Sequence, residues 1–306
     1  MDSFVIIRLA DQGAGAVNIR KHKNIQKYLL KKLPAGISDM VYCKEHGRCV
    51  ELPFSKETIE LFEREFVEAY IEKLIEVHDL SNIYLDRELS CCLDKKASYP
   101  VWLLSYMVMP EMIRYALVKG GLDCRDLHPV VFDPGDVRCD YILEWLVPKV
   151  NYLTIVTERK EYFNDFCELV YEHMGLVAEV CSYPVREPLA GRLIIDANAS
   201  FFKLYQYAEE NAAVVELDGS TEKTNYYTAR RKDLIWIREP SVTMNGEPVD
   251  NRELAVRILM GKSWRLSQFA RCRCNMFYGG DMELLADLYQ IRYVRPDSAA
   301  LFSADS

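Results

Sequence analysis

Residues 130–160 read VVFDPGDVRCDYILEWLVPKVNYLTIVTERK, and this stretch decides the fold. Residues 130–133 form an apolar strand closed by an acidic residue, 136–147 carry helical spacing, and 153–157 form a second apolar strand. The pattern repeats downstream: a helix is expected over 161–174 and a strand over 177–181. Two more apolar runs, 193–196 and 213–217, bracket a helix expected around 201–210. Strands without polar alternation are covered on both faces, and strand–helix–strand links of this length cross over right-handed. The expected class is α/β, with a largely parallel sheet and helices on both faces, plus an α/β N-terminal part and a small α+β C-terminal segment.

In such a sheet, ligands bind beyond the carboxyl ends of the strands. The loops there read Asp133-Pro134-Gly135-Asp136, Thr157-Glu158-Arg159-Lys160 and Asp196-Ala197-Asn198-Ala199-Ser200. Candidate ligand contacts are therefore Asp133, Gly135, Asp136, Glu158, Arg159, Asp196 and Asn198. The same residue types also serve turns and helix caps, because short polar side chains accept from free backbone N–H groups. Asp136 is placed to cap the helix that follows it.

Residues 130–217 resemble a Rossmann-type nucleotide-binding unit: strand, tight glycine-containing turn, helix, then a second strand with an acidic residue at its end. The resemblance implies that Gly135 sits in the phosphate-facing turn and that Glu158 meets a ribose hydroxyl. Arg159 or Lys160 would then suit a 2′-phosphate. The G-x-G-x-x-G fingerprint is missing, since Asp133 and Asp136 flank a single glycine. Two carboxylates repel a pyrophosphate unless a basic side chain stands between, whereas an adenosyl sulfonium is penalised less. The run Leu193-Ile194-Ile195-Asp196-Ala197-Asn198 also resembles the opening of PIN-domain nucleases, which implies carboxylates holding a divalent metal. Asp133, Glu158 and Asp196, all at strand ends, could form such a triad without any family link.

Working outward, residues 4–9 read as a strand and 21–32 as a basic amphipathic helix. Residues 40–43 and 49–52 read as a hairpin turning through His46-Gly47, and Ser55 as the cap of a long helix in which Ile59, Phe62, Phe66, Tyr70, Leu74 and Val77 recur at three and four. Pro110 suggests the first turn of a helix over 111–119. After about 221 the expectation is a strand at 234–238, a turn at Met244-Asn245-Gly246-Glu247, a helix opened by Asp250 and Glu253, a further helix over 281–290 and a strand over 291–294. This divides the chain into 1–125, 126–220 and 221–306.

The full sequence has 306 residues, with 38 Lys plus Arg against 46 Asp plus Glu and a net charge of -8. That balance disfavours nonspecific binding of nucleic acid. Tyr226-Tyr227 beside Arg230, Arg231 and Lys232 is the one aromatic-basic stretch that argues otherwise. No apolar run approaches the ~20 residues that span a bilayer, and the apolar run in residues 1–8 is too short for a secretory signal. Ten cysteines lack the spacing of a disulfide scaffold, so a cytoplasmic setting with reduced thiols is expected. Cys43, His46 and Cys49, with Cys272 and Cys274, are the sole zinc-like grouping, and their spacing suits a tetrahedral site poorly. The ranked expectations are a small-ligand or nucleotide-binding protein, an interaction module docking a protein partner through 221–306, and a metal-dependent phosphoesterase or nuclease. No cofactor is singled out, and nothing decides whether the protein is an enzyme.

Overall fold

The computed structural model describes residues 3–10, 35–60, 62–93, 100–122, 127–183, 189, 191–200, 204–218, 221–238, 240–263, 266 and 288–294. The described residues of Met1–Val101 and Asp250–Ser267 form one compact unit, and those of Trp102–Val249 and Gln268–Ser306 another. The expected helices over 21–32 and 281–290 fall largely outside the described residues, as do Cys272 and Cys274.

In the first unit, β1 (Val5–Leu9) lies between β3 (Glu45–Leu52) and β4 (Ile83–Leu85), parallel to both, while β2 (Gly36–Tyr42) pairs antiparallel with β3. The hairpin turns at Cys43 and Lys44, both at positive φ (47° and 62°), and not at His46-Gly47 as expected. Gly47 lies inside β3. A Cβ there would stand 2.6 Å from the Phe4 carbonyl oxygen and 2.7 Å from its ring, so this glycine allows a close approach and makes no turn.

The expected long helix is split into α1 (Lys56–Ile59) and α2 (Arg64–Val77). The predicted apolar face holds except at its end: Ile59, Tyr70 and Leu74 join Val50, Leu52 and Phe54 in one core, with Phe62 and Phe66 packed on it, whereas Val77, in the last turn, is exposed. Helix α3 (Arg87–Cys92) adds Leu89 to the same core.

The second unit begins with α4 (Trp102–Gly120), which contains Pro110 in its interior. The expected helix over 111–119 is only its second half. The first half has buried residues all round, from Leu103 through Val108, so it lacks the one-sided periodicity by which a helix is recognised.

Next come β5 (Pro129–Phe132), α5 (Arg138–Leu146), β6 (Tyr152–Thr157), α6 (Asn164–Met174), β7 (Val177–Ser182), β8 (Leu193–Asp196), β9 (Ala213–Glu216), α7 (Thr221–Arg230) and β10 (Ile235–Ile237). Instead of the helix expected around 201–210, the described part shows a short 3-10 turn over Leu204–Tyr207. These six strands form one parallel sheet in the order β10-β9-β8-β5-β6-β7. Numbered from β5, this is 6-5-4-1-2-3, which is the Rossmann order read from its other edge. The unit therefore has a Rossmann-type fold, and its topological switch point lies between β5 and β8. Strands β5, β8 and β9 are buried along their whole length, as double coverage requires.

A small antiparallel sheet, β12-β11-β13, follows from β11 (Ser241–Met244), β12 (Glu247–Pro248) and β13 (Arg292–Val294). Its hairpin turns at Asn245-Gly246, both at positive φ. Helix α8 (Arg252–Lys262) belongs to the first unit. Its cap is Asn251, whose side chain accepts from the Leu254 N–H, and not the expected Asp250. Among the described residues, no helix is long and apolar enough to cross a membrane.

Candidate functional site

Register brings the strand-end loops level. Phe132 pairs with Asp196 across the switch point and Asp196 with Glu216, so Asp133 emerges one residue beyond β5 beside the end of β8. Each loop is shaped by its own short polar side chain. Asp133 Oδ1 accepts from the Gly135 N–H, Asp136 Oδ1 from Arg138, Asp196 Oδ1 from Asn198, and Asn198 Oδ1 from Ser200, each two residues on. These are Asx turns, the local bonds that favour Asp and Asn at strand ends. Gly135 takes φ of 87°, which a side-chain-bearing residue adopts with strain, and the space around it is open. Asn198 also donates from Nδ2 to the Asp133 carbonyl at 2.5 Å, stitching the β5 and β8 loops together.

The carboxylates are largely engaged. Asp133 is 1% exposed and meets Arg159 at both oxygens, with Nε at 2.7 Å and Nη2 at 2.9 Å, while Thr157 Oγ1 donates to it at 2.6 Å. Burial alone would lower the pKa of Arg159, but its bonds to Asp133 outweigh that and raise it. Arg159 reaches on to the Asp136 carbonyl and lies over the Tyr162 ring. Asp136 chelates Arg138 Nε at 2.8 and 2.9 Å, and Arg138 bonds Asp218 from Nη1. Asp196 is fully buried and pairs with the equally buried Lys223 of α7, and Tyr205 donates its hydroxyl to the same oxygen. Lys223 also donates to the Asn198 carbonyl.

Above these loops lies a cavity of about 440 Å³ at the switch point, within the range of about 300–1,000 Å³ usual for small-ligand sites. Of the sequence candidates, Asp133, Gly135, Glu158, Arg159 and Asn198 line it, whereas Asp136 stands behind through Arg138 and Asp196 forms the buried floor with Lys223. Glu158 is exposed at the end of β6, and no hydrogen bond or ion pair engages its carboxylate among the described residues.

Arg138, Asp218 and Lys223 escaped the sequence reading. The Arg138–Asp218 pair spans 80 residues and the Lys223–Asp196 pair 27, and neither leaves a local signature. Tyr106 of α4 escaped it too: its ring reads as core, but its fully buried hydroxyl has no hydrogen-bond partner among the described residues. Burial pushes that phenol well above its usual range, so it stays protonated.

The arrangement does not make the expected metal triad. Asp133 and Asp196 already face a guanidinium and an ammonium, and the described residues contain no group of three or more His, Cys, Asp or Glu placed to hold an ion. Cys43 and Cys49 are buried thiols of the first unit. In the aromatic-basic stretch, Tyr227 is buried, Arg230 covers the Tyr226 ring, and Arg231 binds Asp233 and the Tyr205 carbonyl. That leaves little of the stretch for stacking bases.

No protein-family model and no curated protein matches the chain. Solved structures do align with it. L-tryptophan dehydrogenase from Nostoc punctiforme is 9% identical, with 94% of this chain and 80% of that chain covered and a TM-score of 0.36. Shikimate dehydrogenase 1 from Peptoclostridium difficile is 10% identical, with 94% and 97% covered and a TM-score of 0.32. The hetero-hexameric glutamate dehydrogenase of Thermus thermophilus is 10% identical, with 94% and 72% covered and a TM-score of 0.36. Likeness this distant adds nothing to the fold, which rests on the strand order, and nothing to function.

Proposed function

We propose that the second unit binds a nucleoside-bearing small ligand in the switch-point cleft, with Glu158 accepting hydrogen bonds from a ribose diol. The observation that carries this is the unengaged Glu158 carboxylate. It stands at the end of β6, next to the switch-point strand β5, where a Rossmann sheet sets the acidic residue that holds a ribose. A pair of adjacent hydroxyls offers two donors to one carboxylate, and a charged acceptor makes the stronger kind of hydrogen bond. The Asx-turned loops support the reading as well, because they hold the cleft walls in place before any ligand arrives.

The reading is one of binding. Of the five ionisable groups lining the cleft, Asp133, Arg138, Arg159 and Asp218 are tied to one another or to Asp136, which leaves Glu158 to meet a ligand. The test is isothermal titration of the full chain with adenosine, AMP and NAD. Saturable binding by at least one, weakened about tenfold or more in Glu158→Gln, supports the reading, since a hydrogen bond to a charged group contributes about 1.5–3 kcal/mol. Silence from all three, or full affinity in Glu158→Gln, overturns it.

A further inference from the structure

We infer that the cleft selects a nucleoside carrying a positive charge on its 5′ side, such as an adenosyl sulfonium, over a pyrophosphate-linked dinucleotide. This rests on the nucleoside reading above and names its ligand class.

A pyrophosphate at this point of a Rossmann sheet needs free backbone N–H groups in the glycine turn and at the start of the following helix. Here two of those donors are taken by the chain itself. The Gly135 N–H is bonded to Asp133 and the Arg138 N–H to Asp136. The guanidiniums give a phosphate no better opening, because Arg159 holds both oxygens of Asp133 and Arg138 is shared between Asp136 and Asp218. An incoming diphosphate would have to break these pairs while lying against their carboxylates, and like charges in a partly enclosed cleft repel strongly.

The surplus charge is of the opposite kind. Asp218 has one guanidinium to share with Asp136, and Glu158 has none among the described residues. The two also stand apart: Glu158 follows β6 and Asp218 follows β9, three strand spacings away in the sheet order, which is about 14 Å at the usual separation. A nucleoside held at its ribose by Glu158 can therefore extend its 5′ substituent across the switch point toward Asp218.

The experiment compares ligands of nearly equal shape. The full chain is titrated at low salt with S-adenosylmethionine, its uncharged thioether counterpart S-adenosylhomocysteine, adenosine and NAD. The sulfonium is expected to bind about fivefold or more tighter than the thioether, the factor given by one unit charge pair at about 4 Å even in bulk water. NAD is expected to bind more weakly than either. Asp218→Asn should narrow the sulfonium preference, and so should added salt, which needs no variant to fold. Equal affinity for sulfonium and thioether, or NAD binding as tightly as the sulfonium, overturns the inference while adenosine binding leaves the nucleoside reading standing. Silence from all four, adenosine included, removes both.

Discussion

Arg159 grips both carboxylate oxygens of Asp133, 26 residues earlier in the chain, and so neutralises the charge that the strand-end turn places at the mouth of the cleft. The guanidinium is the basic group that a turn written Asp-Pro-Gly-Asp requires if its carboxylate is to be buried at all. It binds the second strand to the first just above the sheet.

Arg159→Ala leaves Asp133 buried with Thr157, the Gly135 N–H and the Cys139 thiol as donors and no cation beside it. A loss of about 3 kcal/mol is expected from stranding a buried charge, read as a lowered urea midpoint. Arg159→Lys should recover only part of it, because an ammonium cannot reproduce the two-pronged contact.

The Lys223–Asp196 pair is fully buried on both sides. Lys223→Met should cost about 3–5 kcal/mol, whereas Lys223→Met combined with Asp196→Leu should regain most of that, because removing both charges removes the desolvation penalty as well. A double variant no more stable than the single one would mean that Asp196 acts mainly through Tyr205 and Asn198.

His128 donates to or accepts from Thr154 Oγ1 at 2.8 Å, and burial holds its pKa below 6.5 against the opposing pull of Glu179 and Glu209. The unfolded chain thus binds a proton at higher pH than the folded one. Its contribution is present above pH 6.5 and falls away as the pH drops through the lower folded value. Urea midpoints across this acidic window should decline less steeply in His128→Gln, and equal slopes would refute the assignment.

Two glycines should fail for different reasons. Gly47→Ala drives a methyl into Phe4 at 2.6 Å and is expected to cost about 1–3 kcal/mol through overpacking. Gly135→Ala meets open space but keeps φ at 87°, so its cost of about 1–2 kcal/mol is one of backbone conformation. A Gly135→Asn change should be milder than Gly135→Ala, since Asn tolerates positive φ, and denaturant midpoints decide both cases.

Tyr106→Phe removes a buried hydroxyl that has no partner among the described residues. The variant is expected to melt higher by about 1 kcal/mol of stability, measured without ligand.

Much of the second unit was legible because the relevant physics is local. The apolar runs of β5, β6, β8 and β9 and the turns made by Asp133, Asp136, Asp196 and Asn198 depend on residues no more than two or three apart. What stayed hidden depends on the fold. Arg138 meets Asp218 80 residues away, and Lys223 meets Asp196 27 residues away, so neither pairing leaves a spacing to read. The first half of α4 was missed because burial on every side erases the helical stripe, and Pro110 then imitates a helix start. Gly47 imitated a turn because close approach and positive φ call for the same residue.

The seam between β5 and β8 has a kinetic consequence. Each half of the sheet, β5-β6-β7 on one side and β8-β9-β10 on the other, joins strands that follow one another along the chain. The halves meet through a single pairing whose stitch, Asn198 to Asp133, closes a loop of 65 residues. Short loops close before long ones, so the halves are expected to gain order separately and to zip together late. In a refolding time course with pulsed hydrogen exchange, amides of β6 should be protected ahead of those that join β8 to β5, and the cleft would be the last part of the unit to exist.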